Sequence, residues 1–145
     1  MGKFADQVAA HRRKVEQRLR AAARGSVLDV VELAQRTRSR APPGRMPLVT
    51  GFLRASIQGA VGSMPSGPTT NEGNKDYTSG GTVAGEPPSV AVLRWDPETG
   101  EEFFVGWTAV YARAMEAKYG FLRGAVEMWK PIVEGNAIHA KRKIP

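Results

Sequence analysis

The sequence predicts an α+β fold in a single domain that spans residues 1–145. It would contain a long N-terminal helix, a small antiparallel or mixed sheet of three to four strands with a long Pro/Gly-rich loop, and C-terminal helices packed on the sheet. Three observations lead to this prediction. Apolar residues recur with helical spacing over the first forty positions, strand-like patterns occur within residues 53–61 and 90–107, and helical spacing returns after residue 109.

The N-terminal helix is predicted over residues 1–40. No proline lies between Lys3 and Arg40, and apolar residues recur mostly at steps of three, four or seven, as they do on one face of a helix. This stripe consists of Phe4, Val8, Val15, Leu19, Ala22, Val30 and Leu33. Because Gly25-Ser26 interrupts it, we expect either one helix weakened there by about 1 kcal/mol or two helices that meet at a bend. The two prolines after Ala41 end the helical region.

The first strand is predicted from Leu53 to Val61, where apolar and polar side chains nearly alternate. Thr50-Gly51 would be the turn that leads into it. Residues 62–89 are rich in proline and glycine and contain few large apolar side chains, so they should form an extended loop that is mobile or ordered by a partner.

The second half of the chain is predicted to contain a hairpin followed by helices. Two short apolar runs at residues 90–95 and 102–107 flank an Asp/Pro/Gly-containing turn, which is typical of an antiparallel hairpin. A short helix should follow over residues 109–119 and end at Gly120. The terminal helix begins at Phe121, is kinked or restarted by a proline at position 131, and gives way to a basic, frayed tail over residues 136–145.

The composition argues against several chemistries. The chain has no cysteine, which excludes disulfides, thiolate metal sites and cysteine nucleophiles. The two histidines, His11 and His139, lack partners at metal-binding spacing, and the adjacent Glu101 and Glu102 would point to opposite faces of a strand. We therefore expect no catalytic residues, no cofactor and no metal. The N-terminal region lacks the unbroken apolar stretch of a signal peptide or membrane span, so we also expect no membrane association.

The polar face of the first helix is strongly basic. Lys and Arg total 21 against 14 Asp and Glu, a net charge of +7, which attracts polyanions or acidic protein surfaces. Clustered cations gain affinity for nucleic acid by releasing counterions from phosphates, although a basic helix face can equally be only solvated. The candidate contacts to DNA or to an acidic partner are Arg12, Arg13, Lys14, Arg18, Arg20 and Arg24.

Three short segments follow one another in the chain: LVTGFLRASI from Leu48, FFVGWTAVYARAMEAKYG from Phe103, and FLRGAVE from Phe121. In this order they resemble the tail-component family of long-tailed bacteriophages, also called tail-completion or neck proteins, and the likeness covers most of residues 1–130. The matching positions are Thr50, Gly51, Leu53, Arg54, Ser56, Ile57, Val105, Gly106, Tyr111, Ala112, Glu116, Tyr119, Gly120, Phe121, Leu122, Arg123 and Ala125. The chain departs from the family pattern because Ala117-Lys118 separates Glu116 from Tyr119.

The resemblance implies a structural virion protein of the phage neck or tail top. Such a protein forms a ring, hexameric by analogy with tail symmetry, that completes the tail and joins it to the head connector around the DNA channel. Its implied partners are other copies of itself, the head-completion or stopper protein, the tail terminator and the tail tube, with non-specific contact to DNA in the channel. It would reside in the virion after assembly in the host bacterial cytoplasm. The alternative from the residues is a small, basic nucleic-acid-binding protein without sequence preference.

The motif residues divide into two groups. The expected turn and core residues are Thr50, Gly51, Leu53, Ile57, Tyr111, Ala112, Phe121 and Leu122. The candidates for inter-subunit or charged contacts are Arg54, Ser56, Glu116 and Arg123, and their charges allow contacts either within a subunit or between subunits. The loop over residues 62–89 is the expected site of contact with a neighbouring subunit.

Overall fold

The computed structural model describes residues 2–38, 44–83 and 85–145. Its elements are α1 (Gly2–Ala34), α2 (Phe52–Ala55), β1 (Ile57–Val61), α3 (Pro88–Ala91), β2 (Phe103–Trp107), α4 (Ala112–Tyr119), α5 (Phe121–Val126) and α6 (Trp129–Lys143). The fold is α+β, with a long N-terminal helix, an antiparallel sheet and C-terminal helices, as predicted. The sheet has two strands in the part of the chain that is described, and the predicted three to four strands are not found there.

Helix α1 runs without interruption through Gly25-Ser26, so the single-helix alternative holds. The Ser26 hydroxyl is buried and donates a hydrogen bond of 2.6 Å to the Ala22 carbonyl within the same helix. A Cβ atom on Gly25 would lie 2.4 Å from the Asn136 side-chain oxygen, so the glycine lets α6 approach closely. The helix ends at Ala34, earlier than expected. The predicted stop, the prolines after Ala41, lies outside the described residues.

The segment predicted to be the first strand begins instead with a helical turn. Gly51 has φ 77°, and the backbone amides of Ala55 and Ser56 donate to the carbonyls of Gly51 and Phe52 at 2.9 Å each. The strand starts only at Ile57. Phe52, Leu53, Ala55 and Ile57 are all buried, and such closely spaced apolar residues fit one turn of helix as well as an alternating strand.

The predicted hairpin is also wrong. Residues 90–94 belong to α3 and a following 3₁₀ turn, because Pro88 at the first helical position favours a helix start. A second 3₁₀ turn, Pro97–Thr99, is capped by the Asp96 carboxylate, which accepts from the Glu98 amide at 3.0 Å. Strand β2 therefore pairs with β1, in an antiparallel register that runs from Ile57↔Trp107 to Val61↔Phe103.

Helix α3 packs directly on β1 at Gly59. A Cβ atom there would lie 2.8 Å from the Pro88 Cα and 2.9 Å from the Phe103 ring. The Gly59 amide donates to the Glu86 carbonyl at 2.9 Å. A glycine is therefore required here by the close approach of α3 to the strand.

The C-terminal helices agree with the prediction in kind and differ from it at their ends. Gly120 (φ 65°) ends α4 and begins α5. Pro131 lies in the first turn of α6, so it restarts a helix, which is the second of the two predicted alternatives. The predicted frayed tail is wrong, since α6 continues to Lys143 and buries Ala140.

Helix α6 runs antiparallel to α1. Near the end of the chain, the Arg18 Nε atom donates to the Ile144 carbonyl at 2.5 Å. Closer to the start of α6, the Asn136 amide donates to the Asp29 carboxylate at 2.8 Å. The two contacts show that the C-terminus of α6 lies near the middle of α1.

The central core joins the middle and the end of the chain. Its buried residues are Met46, Phe52, Leu53, Ala109, Ala112 and Phe121. The Trp107 and Phe121 rings meet edge to face with centroids 5.1 Å apart, and the Trp107 indole N–H donates to the Gln35 side chain at 2.7 Å. This contact ties the sheet to both α1 and α5.

The Pro/Gly-rich segment is held against the body. The Thr69 amide donates to the Thr108 carbonyl at 2.6 Å, the Tyr77 amide to the Thr50 carbonyl at 2.5 Å, and the Val83 amide to the Ala55 carbonyl at 3.1 Å. The Tyr77 ring also packs on Phe52, with centroids 5.8 Å apart. These contacts, all within one chain, order the described part of the segment.

Candidate functional site

The predicted core residues of the three motif segments converge on the central core. Gly51, Leu53, Ile57, Ala112 and Phe121 are buried, and Leu122 is half-buried against the same cluster. The Thr50 hydroxyl accepts from the Phe52 amide at 3.3 Å. Tyr111 lies at the surface of the cluster near the Phe52 ring, and partial burial raises the pKa of its hydroxyl.

Glu116 connects two motif segments inside one chain. Its carboxylate accepts from the Leu122 amide at 2.8 Å and from the Arg123 amide at 3.0 Å, which are the free N–H groups in the first turn of α5. Of the two predicted alternatives, the contact within a subunit is therefore the one observed for Glu116. Arg123 is exposed, and its guanidinium group lies beside Gly120.

Two further candidates for inter-subunit contact are also used internally. The Arg54 guanidinium donates to the Thr78 carbonyl at 2.9 Å and holds the Pro/Gly-rich segment. Ser56 does not project from a strand as a contact residue: it is fully buried, and its hydroxyl donates to the Leu53 carbonyl at 2.7 Å.

Two carboxylates fix the same segment at its exposed surface. Hydrogen bonds from Thr78, chiefly from its side chain, lower the pKa of Asp76. A hydrogen-bonded pair with Arg94 lowers the pKa of Glu86, with Nη1 and Oε1 2.9 Å apart. Glu86 thus fastens one end of the segment to its own subunit, whereas Asp76 stabilises a turn within the segment.

Glu116→Ala should lower the free energy of unfolding by about 1–2 kcal/mol, because two amides of α5 lose their cap. Chemical denaturation followed by circular dichroism would measure the change. Glu134→Ala, on the exposed face of α6, removes the same carboxylate without a cap and should change the stability by less than about 0.5 kcal/mol. Equal effects of the two substitutions would show that the capping bonds contribute nothing.

Three of the predicted basic contacts fasten α1 to the body. Arg20 lies 3.3 Å from the Glu98 carboxylate and 3.6 Å from that of Asp96. The Arg24 guanidinium donates to the Trp95 carbonyl at 2.7 Å, and Arg18 donates to the carbonyl of Ile144. These side chains have intramolecular partners, whereas Arg12, Arg13 and Lys14 are exposed and Arg12 pairs with Glu16 one turn away.

The antiparallel packing of α1 and α6 brings basic residues from the two ends of the chain to the same end of the helix pair. Lys141, Arg142 and Lys143 form the last turn of α6, beside Arg18 of α1. We call this group of residues the basic collar; its members are Arg12, Arg13, Lys14, Arg18, Lys141, Arg142 and Lys143. Glu16 is the one acidic residue within positions 12–18 and 139–145. The sequence indicated both basic runs but could not place them side by side.

The first half of α1 projects from the body. We call residues 2–19 the arm; at 1.5 Å per residue it is about 27 Å long. The apolar stripe that the sequence indicated is exposed here: Phe4 is 74% exposed, Val8 52%, Val15 46% and Leu19 54%. The stripe follows an eleven-residue period, close to three helical turns, and so continues in line with the buried Ser26 and the half-buried Val30.

An apolar groove lies at the other end of α1, where that helix meets β2, α5 and the first turn of α6. Its volume is about 210 Å³. Its walls include Val30, Phe103, Trp107, Leu122, Val126 and Trp129. Val126 and Trp129 are half-exposed at its edge. This groove could not be predicted from the sequence, because four elements contribute to it.

Within the described residues 2–38, 44–83 and 85–145, no group of three or more His, Asp or Glu side chains is placed to hold a metal ion. In the same part of the chain, no helix combines the length and apolar composition needed to cross a bilayer. Comparison with known proteins adds no relative: the chain matches no protein-family model, no curated protein and no solved structure.

Proposed function

We propose that this protein is a structural component of the neck or tail top of a long-tailed bacteriophage, where it forms a ring around the DNA channel. The observation that carries the proposal is the convergence of the three motif segments. Leu53 of the first, Ala112 of the second and Phe121 of the third lie in one cluster. Glu116 of the second segment caps the helix formed by the third. Several of the residues on which the resemblance rests thus help to hold the fold together.

The surface of α1 supports an assembly role. The arm presents apolar side chains that its own chain leaves exposed, and such patches on a protein surface commonly mark interaction sites. The basic collar combines four residues of the arm with the end of α6 and would hold DNA weakly and without sequence preference, which suits a channel through which DNA must move. The ring is hexameric by analogy with tail symmetry, and its further partners are the head-completion or stopper protein, the tail terminator and the tail tube.

Size-exclusion chromatography with light scattering, combined with negative-stain microscopy, tests the proposal. We expect particles of about six times the 15.7 kDa chain mass with a central hole, and binding of these particles to one end of purified tails. A chain that stays monomeric at tens of micromolar and fails to bind tails would overturn it.

The second candidate is a small nucleic-acid-binding protein without sequence preference. The basic collar favours it, because the two helices together contribute seven cationic residues, which is more than either helix contributes alone. Tight binding to unrelated DNA duplexes at physiological salt, by a protein that forms no ring, would favour this candidate over the first.

A further inference from the structure

The apolar stripe of the arm is the uncovered continuation of a stripe that the body covers. From Arg18 onward, α6 lies alongside α1, with Asn136 packed on Gly25 and bonded to Asp29. Beyond Arg18, in the direction of Phe4, the stripe continues beside this line of contact and α6 has ended. Because an apolar stripe left exposed on a helix commonly marks an interaction site, a partner surface should complete it.

The charges beside the stripe restrict what that partner can be. On a helical wheel, Arg12 and Arg18 border the stripe on opposite sides. Over residues 2–19 the arm has five Lys and Arg against two acidic residues, a net charge of +3. Two arms that paired with each other would bring these like charges together, so the arm fits an apolar surface with an acidic border better than it fits another arm.

The body of the same chain offers such a surface. The groove is apolar, and Phe103 in its wall directly follows the acidic segment Asp96–Glu102. That segment contains four acidic residues and no Lys or Arg, a net charge of −4. Arg20 offsets part of this charge through Asp96 and Glu98, whereas Glu101 and Glu102 belong to the exposed surface.

An arm cannot reach the groove of its own chain. Val30 lines the groove and belongs to the same unbroken helix as Phe4. Twenty-six residues of α-helix separate the two, which corresponds to about 39 Å. The two complementary surfaces can therefore meet only between different copies.

We propose that the arm of one copy docks in the groove of a second copy, with Phe4 and Val8 against Val126 and Trp129. The contact is head-to-tail, since each copy gives one arm and receives another, and contacts of this kind close into rings when the rotation allows it. The inference rests on the proposed ring and names the surfaces that build it. The Arg12 side of the arm then faces the acidic segment of its neighbour.

Cysteine cross-linking between two variants tests the docking directly, because the chain has no cysteine of its own. Phe4→Cys protein is mixed with Val126→Cys protein, oxidised, and analysed by non-reducing electrophoresis. Asp6→Cys is the matched control, since residue 6 is also exposed on the arm but points away from the stripe. We expect several-fold more cross-linked dimer from the Phe4→Cys mixture than from the Asp6→Cys mixture.

Light scattering of two charge variants gives an independent readout. Val8→Glu places a carboxylate on the docking part of the stripe, whereas Gln17→Glu places the same group on the far side of the arm. We expect Val8→Glu to be monomeric and Gln17→Glu to keep the mass of the unmodified protein. Rings that persist in Val8→Glu, or equal cross-linking of the two cysteine mixtures, would overturn the docking and leave the proposed function standing. An unmodified protein that forms no oligomer would overturn both.

Discussion

Leu53→Asp is expected to abolish folding. Leu53 is 3% exposed and packs in the central core with Met46, Phe52 and Phe121. An aspartate there must either bury an unpaired carboxylate or expose the core, at a cost of several kcal/mol. Since a domain of this size is stable by only about 5–15 kcal/mol, the loss is a large part of the total. Far-ultraviolet circular dichroism with thermal melting should show no cooperative transition.

Val49→Asp provides the matched control for this prediction. Val49 lies four residues earlier in the same motif segment and is 87% exposed, so the same chemical change should alter stability by less than about 0.5 kcal/mol. A Leu53→Asp protein that unfolds cooperatively with the stability of the Val49→Asp protein would mean that Leu53 does not occupy the core.

Neutralising the collar residues of α6 should have the largest effect on polyanion binding. In the triple variant Lys141→Gln, Arg142→Gln, Lys143→Gln, up to three phosphate contacts are lost. Affinity for a DNA duplex of arbitrary sequence should then fall by about 100-fold near physiological salt, and the slope of log K against log salt should become shallower by about 2.7. Fluorescence anisotropy across a salt series measures both quantities.

A second triple variant distinguishes the effect of the collar on DNA binding from the effect of the net charge of the chain. Lys75→Gln, Arg113→Gln, Lys130→Gln removes the same three charges from exposed positions outside the collar. We expect its salt slope to stay within about one unit of that of the unmodified protein. Equal losses in the two triple variants would assign DNA binding to general attraction by the basic chain.

The sequence predicted those features that depend on local spacing. Helix α1 repeats one apolar pattern over many turns, and Gly120 supplies a left-handed stop that few other residues tolerate, so both could be recognised from neighbouring positions alone. Residues 53–55 belong to the helical turn Phe52–Ala55 and not to the predicted strand, because the spacing of apolar residues satisfies both the helical and the strand period over so short a run.

The features that the sequence did not predict depend on partners distant along the chain. Strand β2 was expected to pair with the preceding residues, but its partner β1 lies some fifty positions earlier, across the Pro/Gly-rich segment. The groove and the basic collar likewise require knowledge of how α6 lies on α1. The exposure of Phe4 and Val8 could not be inferred either, because an apolar stripe that binds a partner has the same composition as one that packs in the core.

The unbroken course of α1 through Gly25 has a mechanical consequence. Asn136 packs on that glycine and bonds to Asp29, so the helix is braced at the position where it would most easily bend. The arm is therefore rigid, and the packing of α1 on α6 sets its angle to the rest of the subunit. Over the length from Val30 to Phe4, a tilt of about 5° would displace the tip by roughly 3 Å. The diameter of an assembly built through the arm would thus be fixed away from the docking surfaces, at the partly buried contact between Gly25 and Asn136.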